Sequence, residues 1–161
     1  MFTSELRATA EKLLAEARAK GLKIATAESC TAGLVAGLLT EIPGSSDVFE
    51  RGFVTYSNAA KEEMLGVSRH IMAAHGAVSA ETARAMAEGA LKRSRADLAV
   101  AVTGIAGPAG GSADKPVGLV HIAAACSDGV IYRECRFGDI GRTEVRLKSV
   151  AAALEMLEAL I

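Results

Sequence analysis

The stretch GSSDVFERGFVTYSNAAK, residues 44–61, holds two adjacent serines, a tyrosine and a lysine. Together these residue types can open an acyl bond. A serine hydroxyl is a poor nucleophile until a base takes its proton, and a lysine becomes that base when burial lowers its pKa toward neutrality. On this pattern Ser46 attacks, Lys61 is the base, Tyr56 relays the proton or fixes the amine, and nearby backbone N–H groups hold the oxyanion. The plainer reading is that Ser45 and Ser46 cap a turn, Tyr56 packs at a strand end and Lys61 is solvated.

Other chemistries fit these residues less well. A dehydrogenase-type Tyr-Lys pair sits four apart on one helix, whereas the spacing here is five, about 140° away on the helical wheel. Extended backbone before Asn58 and helix after it would instead leave Tyr56 and Lys61 reaching one cleft around a corner. His70, His75 and His121 make no serine triad, because no Asp or Glu is identifiably paired with any of them.

Two further stretches can grip a ligand. In TAESCTAG, residues 26–33, a strand gives way to a helix, so free backbone N–H groups and the hydroxyls of Ser29 and Thr31 are placed to converge on an anion such as a phosphate, or simply to cap the helix. Cys30 reads more simply as a small buried thiol than as a nucleophile at a helix N-terminus. TGIAGPAGGSADKPVG, residues 103–118, is a glycine-rich loop after the most apolar segment. Ligands of open α/β sheets sit beyond the carboxyl ends of strands, which is where this loop falls. It lacks the Gly-Lys-Ser/Thr of a phosphate-binding P-loop and does not open a helix as a dinucleotide fingerprint does.

The elements that must position these residues alternate along the chain. Ser4 is placed to cap a first helix carrying Leu6, Ala10, Leu13, Leu14 and Ala17 on one face and closed by Gly21. LKIATAE reads as a strand and SCTAGLVAGLLTEI as a second helix ended by Pro43-Gly44. VFERGFVTYS is a strand, NAAKEEMLGV a helix, and SAETARAMAEGALKRS a longer helix feeding the apolar ADLAVAVTG, which suits a central strand buried on both faces. PVGLVHIAAAC and GVIYRECRF form a hairpin about Ser127-Asp128-Gly129, and Thr143 to Ile161 is helical. The expected architecture is one domain, residues 1–161, a three-layer α/β/α sandwich with a mixed, mostly parallel sheet.

Composition narrows the function classes. The 161 residues are 50% hydrophobic and 23% charged with a net charge of −1, so no basic footprint for nucleic acid exists and no such partner is expected. No apolar run approaches the ~18 residues needed to cross a bilayer. The amphipathic N-terminus has no export-signal pattern, and three cysteines without C-x-x-C spacing argue against disulfides or zinc, so a cytoplasmic location is expected. Homodimerisation is compatible with the chain, with no residue assigned to it.

TAESCTAG, GSSDVFERGFVTYSNAAKEEMLGV, HGAVSAETARAMAEGA and VAVTGIAGPAGGSADKPVGLVHIA, in this order across about residues 5–155, resemble the C-terminal domain family of the competence/damage-inducible protein CinA. Several long motifs in one order are far more specific than one glycine-rich loop. The resemblance implies an α/β/α fold with a mixed sheet. It also implies hydrolysis of the carboxamide of nicotinamide mononucleotide to nicotinate mononucleotide and ammonia in pyridine nucleotide salvage, with no metal or organic cofactor. Matched to the family's motifs, Ser46, Tyr56 and Lys61 are the catalytic group, with Ser45 and Ser29 as alternative serines. Ser29, Thr31, Thr103 and Gly104 match the segments that hold nucleotide, and Arg142 and Arg146 stand where a phosphate can be met. Position 32 is Ala where many members carry Gly. The family's longer members add a molybdopterin-protein-like domain, none of whose activity is carried over. A domain that senses a nucleotide without turning it over is the alternative reading.

Overall fold

The apolar run predicted as a central strand becomes β3 (Leu98–Gly104) in a computed structural model that describes residues 1–161. It lies in the middle of a five-stranded sheet ordered β2-β1-β3-β4-β5, with β1 at Ile24–Glu28, β2 at Phe49–Val54, β4 at Leu119–Cys126 and β5 at Gly129–Arg136. β1 pairs in parallel with both β2 and β3, while β4 runs antiparallel to β3 and to β5. Only β4 therefore runs against the others, the sense in which this mixed sheet is mostly parallel.

Alternation along the strands assigns the two faces. Ile24, Leu98, Val100, Val102, Val120 and Ile122 point to one side, where α1 (Ser4–Ala19), α2 (Leu34–Glu41) and α6 (Arg142–Glu158) cover them. Leu13, Leu14, Leu38, Leu39, Leu154 and Leu157 are fully buried there, and truncating any one to Ala would cost about 2–5 kcal/mol. The opposite face presents Ala25, Ala27, Ala99, Ala101, Ala123 and Ala125, all small, against α5 (Ala80–Lys92) and its Ala83, Met86, Ala87 and Ala90. Small side chains on both surfaces let that helix lie close to the sheet. α3 (Asn58–Leu65) packs beside α5, where a Cβ on Gly89 would stand 2.1 Å from the Leu65 carbonyl oxygen. Three layers result.

The expected elements form, with three differences. Thr3 rather than Ser4 caps the first helix, its hydroxyl accepting the Leu6 N–H at 3.2 Å. The second helix begins at Leu34 rather than at Ser29, because Ala32 (φ 46°) and Gly33 (φ 94°) are left-handed and residues 29–33 make a turn. A short helix, α4 (Arg69–His75), was not read from the sequence. It buries no residue, so it writes no apolar stripe, and only the Ser68 side chain accepting the His70 N–H marks its start. No helix is long and apolar enough to cross a membrane.

Candidate active site

Parallel pairing brings the carboxyl ends of β1, β2 and β3 to one edge of the sheet, with Glu28 level with Val54 and with Val102. Ser29 is the first residue beyond β1, and its amide still bonds the Val102 carbonyl at 2.9 Å. Ser57 caps α3 by accepting the Ala60 N–H, which starts a helix one turn upstream of Lys61. Helical side chains lean toward the N-terminus, so Lys61 reaches back over the β2–α3 junction. Its Nζ donates to the Thr55 carbonyl at 2.7 Å and lies 3.0 Å from Ser29 Oγ, with the Tyr56 carbonyl at 3.5 Å.

Lys61 is only 1% exposed, and no carboxylate pairs with it. Desolvation without a countercharge lowers its pKa from the ordinary 10.5 to about 8, opposed weakly by Cys30. An appreciable fraction of the amine is neutral near pH 7.5 and can accept the Ser29 hydroxyl proton. Cys30 moves the other way: burial raises its thiol to about 11, which leaves it protonated and inert, as the buried-thiol reading expected.

Ser29, Cys30 and Lys61 line a cavity of about 280 Å³ together with Tyr56, Thr103, Gly104 and Arg142. Ala77, Val78, Ile105 and Ala106 give it an apolar wall, and Gly107, Ala109 and Gly110 of the glycine-rich loop complete the rim. Arg142, the first residue of α6, donates to the Gly107 carbonyl at 2.9 Å and to the Tyr56 hydroxyl at 3.2 Å, tying loop, tyrosine and helix together. Tyr56 and Lys61 do meet at one cleft. It is the Tyr56 carbonyl, not the phenol, that faces the amine. Thr103 spends its hydroxyl on the Ala77 carbonyl at 2.8 Å and so fixes the wall. Gly104 leaves no room for a side chain, since a Cβ there would stand 2.7 Å from Val120 Cγ2 and 2.8 Å from the Leu119 carbonyl oxygen.

Ser46 is not at this site. It lies in a one-turn 3₁₀ segment, Ser45–Asp47, that precedes β2, while Lys61 follows the far end of that strand. The Val48 carbonyl accepts from Ile24, the first residue of β1, and Arg18 of α1 holds Asp47 at 2.6 Å, so this turn sits at the amino-terminal edge of the sheet. The length of β2, about 20 Å for six residues, separates the two groups. Thr31 is fully buried and does not line the cavity, and its hydroxyl has no partner.

The amino-terminal amides of α2 are not free for a phosphate either. Glu28, 1% exposed, accepts from Gly33 and Val35 through Oε2 at 3.0 Å each and from Ala36 through Oε1 at 2.9 Å. The protein supplies its own anion. Glu28 went unnoticed in the sequence because a lone acid at a strand end carries no motif; its signal was an acid one residue before a turn that starts a helix. Arg146 likewise is spent on the Cys30 and Thr31 carbonyls, at 3.0 and 3.2 Å.

Residues 6–161 match the family model described as the CinA C-terminal domain. A nicotinamide-nucleotide amidohydrolase, PncC, of Shigella flexneri is 51% identical over 159 residues, 98% of this chain and 95% of that protein. A putative competence-damage inducible protein of Caldicellulosiruptor bescii is 53% identical over 139 residues, 86% of this chain but 33% of that protein. The crystal structure of a competence/damage inducible protein from Agrobacterium tumefaciens superposes with a TM-score of 0.98 at 58% identity, covering 99% of this chain and 98% of that one. The chain belongs to the CinA C-terminal domain family.

Proposed function

We propose that this protein hydrolyses the carboxamide of nicotinamide mononucleotide, giving nicotinate mononucleotide and ammonia in pyridine nucleotide salvage. The observation that carries the reading is the contact of Ser29 Oγ with a buried, unpaired lysine amine inside the cavity. The activity named for the Shigella relative supplies the substrate.

In the reaction, neutral Lys61 accepts the Ser29 proton as Oγ attacks the carboxamide carbon. The resulting Lys61 ammonium returns that proton to the departing nitrogen, ammonia leaves, and an ester joins the nicotinoyl carbon to Ser29. Water, deprotonated by the again neutral Lys61, opens the ester and restores the hydroxyl. Ala77, Val78, Ile105 and Ala106 offer an apolar wall for the pyridine ring. Arg142 at the rim is the cation placed to meet the phosphate, while Tyr56, pinned by Arg142, orients the entrance rather than carrying the proton.

Incubating purified protein with nicotinamide mononucleotide should release ammonia, and acid quenching in the steady state should leave a nicotinoyl mononucleotide ester on the peptide containing Ser29. Saturable binding with no ammonia would instead establish the nucleotide-sensing alternative.

A further inference from the structure

If Ser29 attacks, negative charge develops on the carboxamide oxygen, and the turn that follows the nucleophile must present a donor to it. Every amide from Ala32 to Gly37 is already committed. Ala32 bonds the Ser29 carbonyl at 3.0 Å, Leu34 the Thr31 carbonyl at 3.0 Å and Gly37 the Gly33 carbonyl at 2.8 Å, while Gly33, Val35 and Ala36 bond Glu28. The amides of Cys30 and Thr31 bond no acceptor from another residue, and of these two residues only Cys30 lines the cavity, beside Ser29.

The direction of the Cys30 amide is fixed from the other side. In a trans peptide the C=O and N–H point opposite ways, so the Ala32 amide holding the Ser29 carbonyl also fixes where the Cys30 N–H points. Arg146 clamps the next two carbonyls, of Cys30 and Thr31, and Glu28 gathers the amides beyond them. The turn is thus held at both ends by buried or half-buried charge while bearing a left-handed alanine.

Resting on the amidohydrolase reading above, we infer that the Cys30 backbone N–H is the oxyanion donor, and that Arg146 and Glu28 are positioning residues that hold it in place rather than ligands of the substrate phosphate. Arg142 and Arg146, four residues apart on one helix, thereby divide their work: the first faces the nucleotide, the second faces the turn.

Two probes separate these roles. Pyridine-3-boronic acid forms a tetrahedral adduct with an activated serine and has no phosphate, whereas nicotinate mononucleotide carries the phosphate and no tetrahedral centre. Arg146→Met should weaken the boronate at least about tenfold and lower kcat by about 10²-fold, the order found when an oxyanion donor is lost. Its KM and its affinity for nicotinate mononucleotide should stay within about twofold, and Arg146→Lys should recover part of the boronate affinity. Arg142→Gln should do the reverse, weakening the nucleotide and sparing the boronate. Loss of nucleotide affinity with unchanged boronate binding in Arg146→Met would make Arg146 a phosphate ligand and overturn the inference, as would no change in either. Should Arg146→Met fail to fold, the same ratio of affinities in Arg146→Lys decides. A wild type that releases no ammonia and binds no boronate removes the amidohydrolase reading itself, and this inference with it.

Discussion

Two serine-bearing turns flank the first two strands, and they look alike until the sheet is assembled. The Ser45–Asp47 turn enters β2, and the Ser29–Gly33 turn leaves β1. Both are rich in hydroxyls, both adjoin left-handed residues and both border α2. Only one meets a lysine. Because β1 and β2 are parallel, their entrances and exits lie on opposite edges, and Lys61, which follows the exit of β2, can meet only the residue at the exit of β1. The entrance turn is tied instead to α1 by Arg18 and to Lys23 through the Asp47 carbonyl, an anchoring role on an exposed surface. Direction along a strand, not hydroxyl content, separates the serine that meets the lysine from the one anchored to α1.

Removing each serine in turn has the largest expected effect. Ser29→Ala should lower kcat by on the order of 10⁴-fold or more, while Ser46→Ala should stay within about twofold of wild type. Steady-state ammonia release by both variants decides it, and the reverse outcome would return the chemistry to the entrance turn.

Titration of the lysine has the next largest effect. With neutral Lys61 as base, kcat/KM should rise about tenfold per pH unit below a midpoint of about 8 and level off above it. Stability should carry the same signature with a definite sign. The folded pKa of about 8 lies below the unfolded 10.5, so between these values the unfolded chain binds the extra proton and unfolding free energy rises with pH. Below about pH 7 both states are largely protonated, and the cost of burying the charge is constant. The difference in unfolding free energy between wild type and Lys61→Met should therefore shift in favour of wild type from about pH 8 to 10.5 and be flat from about pH 5.5 to 7. A flat difference throughout would mean that the amine is not desolvated as its burial implies.

The smallest effect lies in the backbone of the Ser29–Gly33 turn. Ala32 is the one non-glycine residue with positive φ, at 46°, where a Cβ crowds the following carbonyl. Ala32→Gly should stabilise the fold by up to about 1 kcal/mol in denaturant titrations, the relief of strain being partly offset by greater freedom in the unfolded chain. No comparable gain awaits at the entrance turn, where Gly44 already occupies the left-handed position.

Much of this molecule was legible in local pattern. The apolar run at 98–104, the two-residue turn between Cys126 and Gly129, and the opening of the long helix at Ser79 each follow from short-range sterics and hydrogen bonding, which neighbouring residues dictate. The pairing of types, a serine with a lysine in a cleft beside Tyr56, Thr103, Gly104 and Arg142, was legible as well. Which serine was not. Ser46 stands 15 residues from Lys61 in the chain and Ser29 stands 32 away, and proximity in sequence pointed to the wrong edge of the sheet. The lysine's lowered pKa, the self-supplied anion at α2 and the clamp of Arg146 on the turn were equally out of reach. Each depends on which groups are buried together and which way a peptide plane faces. Local physics needs only neighbours, so every element but the short α4, their order and the chemical types available follow from the sequence; strand direction and layer packing join residues that the chain keeps far apart, so which types meet is settled only in the folded molecule.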